Sequence, residues 1–256
     1  SSLNSDQLYK YSIFLFFISL ISLFLVPFVG VEVKGSKRWI DLFFLPRFQP
    51  IEVLKPFLII ILATILCDIR SNILFKYLIS IFLISFISLL LIAQPDIGQT
   101  LLVIFCWAVL IFTSGINIYI LLAIFIAGAS LLTYLIIYVP RFDYIQGRIF
   151  SFFNRETGTH NFQSDKAIES ITSGGFFGKG IGEGVLKNRV PEAHTDYIIS
   201  VISEEFGVVA IMLILLLFLI LIYMVFKKIS FETNDKAKLI LIGSISLILM
   251  QATIHI

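Results

Sequence analysis

Apolar runs of membrane-spanning length alternate with short polar breaks along most of this chain. A spanning helix needs about 20 mostly apolar residues. By that measure the pattern predicts helices near 9–29, 51–66, 73–94, 98–114, 116–139, 196–226 and 238–256. The second and fourth are short, and Pro56 falls in the first turn of the second, where proline is tolerated. Two polar segments are long enough to hold chemistry, at about 30–50 and 140–195. Seven helices place both, with the 94–98 turn, on one side of a membrane. The N-terminus, the 67–76 turn and the 227–238 loop fall on the other.

Composition sharpens this picture. The 256 residues are 58% apolar and 14% charged, with a mean hydropathy of +0.99, whereas a soluble domain is about half apolar and a quarter charged. The expected fold is therefore an all-α, polytopic integral membrane helical bundle. Cys67 and Cys106 sit in or beside apolar runs without CxxC spacing, so no disulfide framework or zinc site is expected. His160, His194 and His255 are far apart and form no HExxH, so no metal site is expected either. The chain starts without an initiator methionine or signal-peptide pattern and stops inside "LILMQATIHI"; both ends read as cut, and residues 1–256 as one domain of a fragment. Basic residues are more numerous on the side of the two long polar segments, which by the positive-inside rule places them in the cytoplasm.

Four segments could carry chemistry. In "GSKRWIDLFFLPRFQPIEVLK", Lys37, Arg38 and Lys55 stand beside an interface marked by Trp39, and Glu52 and Lys55 are three apart on one helix face, where they can pair. This reads either as an interfacial belt of anchors and snorkelling lysines or as an anion site. In "AQPDIGQT", Asp96 is placed to cap the following helix. "SGGFFGKGIGEG" is glycine-rich but no Walker loop, because Lys179 is followed by glycine and no strand precedes it; a flexible turn is the default reading. In "VPEAHTDYIISVISEEFG", a helix begun at Asp196 would align Ser200, Ser203, Glu204 and Gly207 in one polar stripe about 17 Å long. Such a stripe should face a wet cavity or other helices rather than lipid. Asp196 could itself be a dipole-complementing first-turn acid or a functional carboxylate.

The pieces "GSKRWIDL", "FQPIEVLK", "LLIAQPDIGQT", "SGGFFGKGIGEG" and "PEAHTDYIISVISEEFG" together resemble the SEDS family of bacterial cell-wall proteins (FtsW, RodA, SpoVE), in the family's order and at about its spacing. "PEAHTD" is more similar to the FtsW, division-specific branch. The resemblance implies a multi-pass protein of the bacterial cytoplasmic membrane, with about seven of the family's roughly ten transmembrane helices present. It implies an enzyme, a peptidoglycan glycosyltransferase polymerising lipid II outside the membrane during cell division, in partnership with a class B penicillin-binding transpeptidase and other division proteins, with no nucleic acid involved. Both polar segments would then be extracytoplasmic, against the charge count. The family's catalytic aspartate falls on Asp196, here a general base. Arg38 and Lys55 would absorb charge on the leaving pyrophosphate, with Lys179 and Arg189 in support, while Glu192 and His194 would orient Asp196 or bind sugar. No cofactor is required by this chemistry; a divalent cation, magnesium or manganese, is compatible with it, but no residue spacing demonstrates one. The rival readings are a lipid II flippase and an inactive, truncated scaffold.

Overall fold

A computed structural model describes residues 5–33, 36–42, 45–68, 72–139, 146–147, 162–184 and 198–255. Helices occupy all seven positions that the apolar pattern indicates. They are α1 (Ser5–Val29), α2 (Pro50–Leu66), α3 (Ile73–Ala93), α4 (Ile97–Thr113), α5 (Ile118–Tyr138), α7 (Ile198–Phe231) and α8 (Asp235–His255). A further helix, α6 (Phe162–Ser173), and three short strands, β1 (Val31–Val33), β2 (Ser36–Leu42) and β3 (Leu45–Phe48), fall inside segments that the sequence reads only as polar loops.

Among the described residues five helices are long and apolar enough to cross a membrane: Tyr9–Val29, Ile73–Ala93, Ile118–Tyr138, Ile198–Phe231 and Asp235–Ile254. They make this an all-α, multi-pass membrane protein. Because α2 starts at Pro50, Pro56 lies inside the helix in its second turn rather than in the first turn expected from the sequence. At 17 residues each, α2 and α4 span only about 25 Å. Their shortness goes with their position, because they supply much of the buried interior: Ile51, Leu54, Leu58, Ile59, Leu62, Leu102, Val103, Leu110 and Ile111 are all buried.

The chain forms two compact units, Ser1–Asn117 with Val225–Gln251, and Ile118–Met224 with Ala252–Ile256. In the first, α1 to α4 pack together, and α8 joins them through Gly243. A Cβ at this glycine would stand 2.7 Å from Ile59 Cγ2 and 3.0 Å from Leu110 Cδ2, so its absence lets the backbone of α8 approach α2 and α4 closely. Trp107, buried in α4, donates its indole N–H to Ser80 of α3 at 3.3 Å. Such a partner is what a buried indole requires.

Between α1 and α2 the three strands form an antiparallel sheet in the order β1-β2-β3. Val31 pairs with Trp39, and Ile40 with Phe48. The two-residue alternation of strands explains what β2 does: Ile40 is buried while Trp39 and Asp41 are exposed. Arg38 shares the parity of Ile40 and is directed at the carboxyl end of α3 rather than at solvent.

Candidate functional site

The first unit gathers polar side chains where α2 and α4 begin and α8 ends. Lys55, in the second turn of α2, is 3% exposed. Its ammonium lies 2.7 Å from Glu52 Oε2 and donates to Gln99 Oε1 at 3.0 Å and to Gln251 Oε1 at 2.9 Å. An ammonium has three donors, and all three have partners. The amides close the network on the acid: Gln99 Nε2 donates to Glu52 Oε1 at 2.7 Å, and Gln251 Nε2 to Glu52 Oε2 at 3.2 Å. The i,i+3 pairing anticipated for Glu52 and Lys55 is present. The two glutamines had no part in that expectation, although Gln251, an amide within an apolar run, was a visible signal for it.

A second cluster stands at the α3–α4 turn. Arg38 Nε donates to Gln94 O at 3.3 Å, and its Nη2 donates to Pro95 O. These carbonyls follow the end of α3, where backbone acceptors otherwise lack partners. Nη1 lies 3.9 Å from Asp96 Oδ1. Asp96 caps α4 by accepting from Gln99 N–H at 3.4 Å, as the sequence suggests, and takes a second bond from Gln49 Nε2 at 2.8 Å. Burial pushes its carboxyl above the usual carboxylate range, and the Arg38 guanidinium opposes this without cancelling it.

In the second unit, α7 breaks at Gly207, whose φ of 76° and ψ of −173° lie outside helical geometry. In an unbroken helix the N–H groups of Val208 and Val209 would bond to the carbonyls of Glu204 and Glu205. The break orphans all four groups, and the glycine-rich segment supplies all four partners. Val208 N–H donates to Gly175 O at 3.0 Å and Val209 N–H to Phe176 O at 3.3 Å, while Lys179 and Gly180 N–H donate to Glu204 and Glu205 O at 2.9 and 3.1 Å. Main chain therefore meets main chain across this contact. Side chains at Gly174, Gly178 or Gly207 would strike the backbone of Ser203, Glu205 and Phe176, respectively. The segment is thus a docked turn, in which Gly174 and Gly178 give closeness of approach.

The polar stripe of α7 lies beside this clasp. Ser200, Ser203, Glu204 and Gly207 are all buried, against protein as the spacing required. Glu204 is fully buried; its Oε1 lies 3.3 Å from Lys179 Nζ, and Ser170 Oγ of α6 lies 3.2 Å from both Glu204 Oε2 and Ser200 O. Ser203 Oγ donates to Ile171 O at 3.2 Å, and Gly182 N–H donates to Glu205 Oε1 at 3.2 Å.

Replacing Gly207 with alanine should be costly. The positive φ alone strains an L residue by about 1–3 kcal/mol, and its Cβ also meets main chain that cannot rotate away. Gly128 of α5 has open space around its Cβ position, so Gly128→Ala is the control. Heating both variants in detergent should lower the melting midpoint of Gly207→Ala by several degrees and leave that of Gly128→Ala nearly unchanged. Equal midpoints would show that the clasp contributes nothing.

Of the residues singled out from the sequence, Arg38, Lys55 and Lys179 are therefore placed, each already engaged with protein groups. Arg189, Glu192, His194 and Asp196 lie outside the described residues, Asp196 two positions before the start of α7. Among the described residues no three His, Cys, Asp or Glu side chains converge as metal ligands.

The whole chain, residues 1–256, matches the FtsW/RodA/SpoVE family, described as "Cell cycle protein". It is 36% identical over 208 residues to the probable peptidoglycan glycosyltransferase FtsW of Tolumonas auensis, covering 78% of this chain and 52% of the relative. It is 34% identical over 241 residues to the protein of that name from Francisella salina, covering 90% and 58%. The chain thus spans about half the length of the curated relatives it matches. Among solved structures, it is similar to a chain from work on the structural coordination of polymerization and crosslinking by a peptidoglycan synthase complex. That similarity has a TM-score of 0.78 and 25% identity, over 99% of this chain and 73% of the other. The rod shape determining protein RodA of Thermus thermophilus is also similar, with a TM-score of 0.65 and 25% identity over 98% and 67%. On its sequence along the full length and on its helical fold, the chain belongs to the FtsW/RodA/SpoVE family of cell cycle proteins.

Proposed function

We propose that this chain is part of a peptidoglycan glycosyltransferase that polymerises lipid II during cell division, with Asp196 as general base. The observation that carries this reading is the buried, clasped polar segment of α7 that begins two residues after Asp196. The first buried residue of that segment, Ser200, follows Asp196 by four positions, and a carboxylate close to an anchored helix segment is suited to geometry-sensitive chemistry, where small misplacements are costly. In the step itself, an acceptor sugar hydroxyl loses its proton to Asp196 while its oxygen bonds to the donor's anomeric carbon. The bond from that carbon to the lipid pyrophosphate breaks, and the electron pair leaves with the phosphate oxygen. Cations stabilise the developing charge.

Among those cations, Lys179 and Arg38 are both partly exposed; Arg189 is the third candidate. Glu192 and His194 remain candidates for orienting Asp196 or binding sugar. Lys55 acts at a remove, by holding helix ends together, because its donors are already taken. The protein works in the bacterial cytoplasmic membrane beside a class B penicillin-binding transpeptidase, a partnership supported by its likeness to a chain from a complex that couples polymerization with crosslinking.

Purified full-length protein supplied with labelled lipid II tests the reading. Glycan polymer is the expected product. Headgroup translocation in vesicles without polymer would replace the enzyme by a transporter, and neither activity would leave a scaffold.

The same reading requires the 140–195 segment to lie outside the cytoplasm. A cysteine introduced by Ser164→Cys should react with an impermeant thiol reagent in intact spheroplasts. Labelling only after lysis would reverse the orientation and favour the positive-inside count.

A further inference from the structure

The glycine-rich turn presents its apolar side chains outward. Phe176, Phe177 and Ile181 are 74%, 85% and 79% exposed, although each is of a type that a folded protein ordinarily buries. A cluster of this kind on a turn whose backbone is fixed marks a contact surface.

The hydrogen bonds at the helix break fix the level of this turn along α7. Phe176 is tied to Val209, while Lys179 and Gly180 are tied to Glu204 and Glu205. The Phe176–Phe177 end is therefore the end nearest the middle of α7. From Val208 the helix runs without a charge to Phe226 and then meets Lys227 and Lys228. At 1.5 Å per residue that run is about 28 Å long, close to the roughly 30 Å of a bilayer's hydrocarbon. If Lys227 marks one hydrocarbon boundary, Val208 stands at the other. On α7, Phe206, Val208, Val209 and Met212 are also exposed, and the bond from Val209 N–H to Phe176 O joins the turn to the helix at this level.

We infer that the 174–182 turn is a membrane-interface anchor, with Phe176 and Phe177 seated in the outermost acyl-chain layer of the bilayer and Lys179 and Ile181 nearer headgroup depth. The occupant of this surface is lipid. Its continuity with the lipid-facing side of α7 argues for that choice, as does the match between the apolar run and the hydrocarbon thickness. Aromatic and aliphatic side chains beneath a basic residue are the composition of interfacial segments.

Full-length protein in lipid nanodiscs, with Cys67→Ala and Cys106→Ala as background, allows a test. An environment-sensitive fluorophore is attached at Phe176→Cys, at Phe177→Cys and, as an aqueous control, at Thr233→Cys in the turn before α8. At 176 and 177 the emission should shift to the blue and most of it should be lost in nanodiscs made with acyl-brominated lipids, with little loss to aqueous iodide. The control should show the reverse. Iodide quenching at 176 and 177 equal to that at 233 would place the turn in water and overturn the inference. Blue-shifted emission that resists both quenchers would show that protein covers the tip, which overturns lipid as the occupant. Two labelled positions guard against one of them perturbing the fold.

Discussion

Asp196→Asn should give a folded protein that binds lipid II and does not polymerise it. Two readings of this residue separate on that substitution. Asparagine caps a helix about as well as aspartate, and losing a charge near the helix dipole costs about 0.3–1 kcal/mol. If Asp196 only caps, polymerisation should persist near its normal rate. As a general base, an amide cannot take the acceptor's proton, and such a base contributes about 10²–10⁴-fold. Binding should change far less, since that proton moves only in the transition state. Polymer yield from labelled lipid II, read beside equilibrium binding, distinguishes the two. A near-normal rate would shift attention to Glu192.

The largest expected effect on stability is at Glu52. Glu52→Ala should destabilise the protein by about 3–5 kcal/mol, the range for breaking a buried ion pair from one side. It leaves the ammonium of Lys55 in a site that is almost wholly closed to water, with only two amide oxygens as acceptors. Lys55→Met should cost less, because Glu52 is partly exposed and can recover water. The double substitution should be milder than Glu52→Ala alone, since it removes the stranded charge together with its partner. Thermal melting of the four proteins in detergent completes the cycle. Additive losses would mean that the two side chains are not coupled, and the network would lose its claim to hold α2, α4 and α8 together. The same measurement bears on Lys55 as a substrate ligand: a pyrophosphate could reach its ammonium only by displacing Glu52, Gln99 or Gln251.

The helices were legible because lipid imposes one rule on every spanning segment, and apolar runs of the right length satisfy it in only one way. The Glu52–Lys55 pair and the Asp96 cap were legible for a similar reason, since both depend on neighbours three residues apart. What escaped the sequence depends on distance along the chain. Gln251 meets Lys55 across 196 residues of the chain, and no local period announces it. The strands between α1 and α2 were hidden because they are short and rich in charge, so their alternation resembles an ordinary loop. Gly207 was read as the last member of a stripe, whereas its meaning lies in Gly175 and Phe176, which accept the bonds that the helix gives up. The glycines of the 174–184 segment suggested freedom for the same reason: sequence shows the missing side chains but not the main chain pressed against them.

The break in α7 also bears on how the protein is assembled. As α7 enters the bilayer by itself, a continuous helix is its favoured form, because Val208 and Val209 N–H then find acceptors within their own segment. Docking of the 174–180 turn exchanges those two bonds for four, and two carbonyls and two amides of the turn leave water at the same moment. By this count the bend follows from tertiary contact. A peptide spanning 198–231 alone in lipid should be straight, and α7 becomes two only in the company of the 174–180 turn.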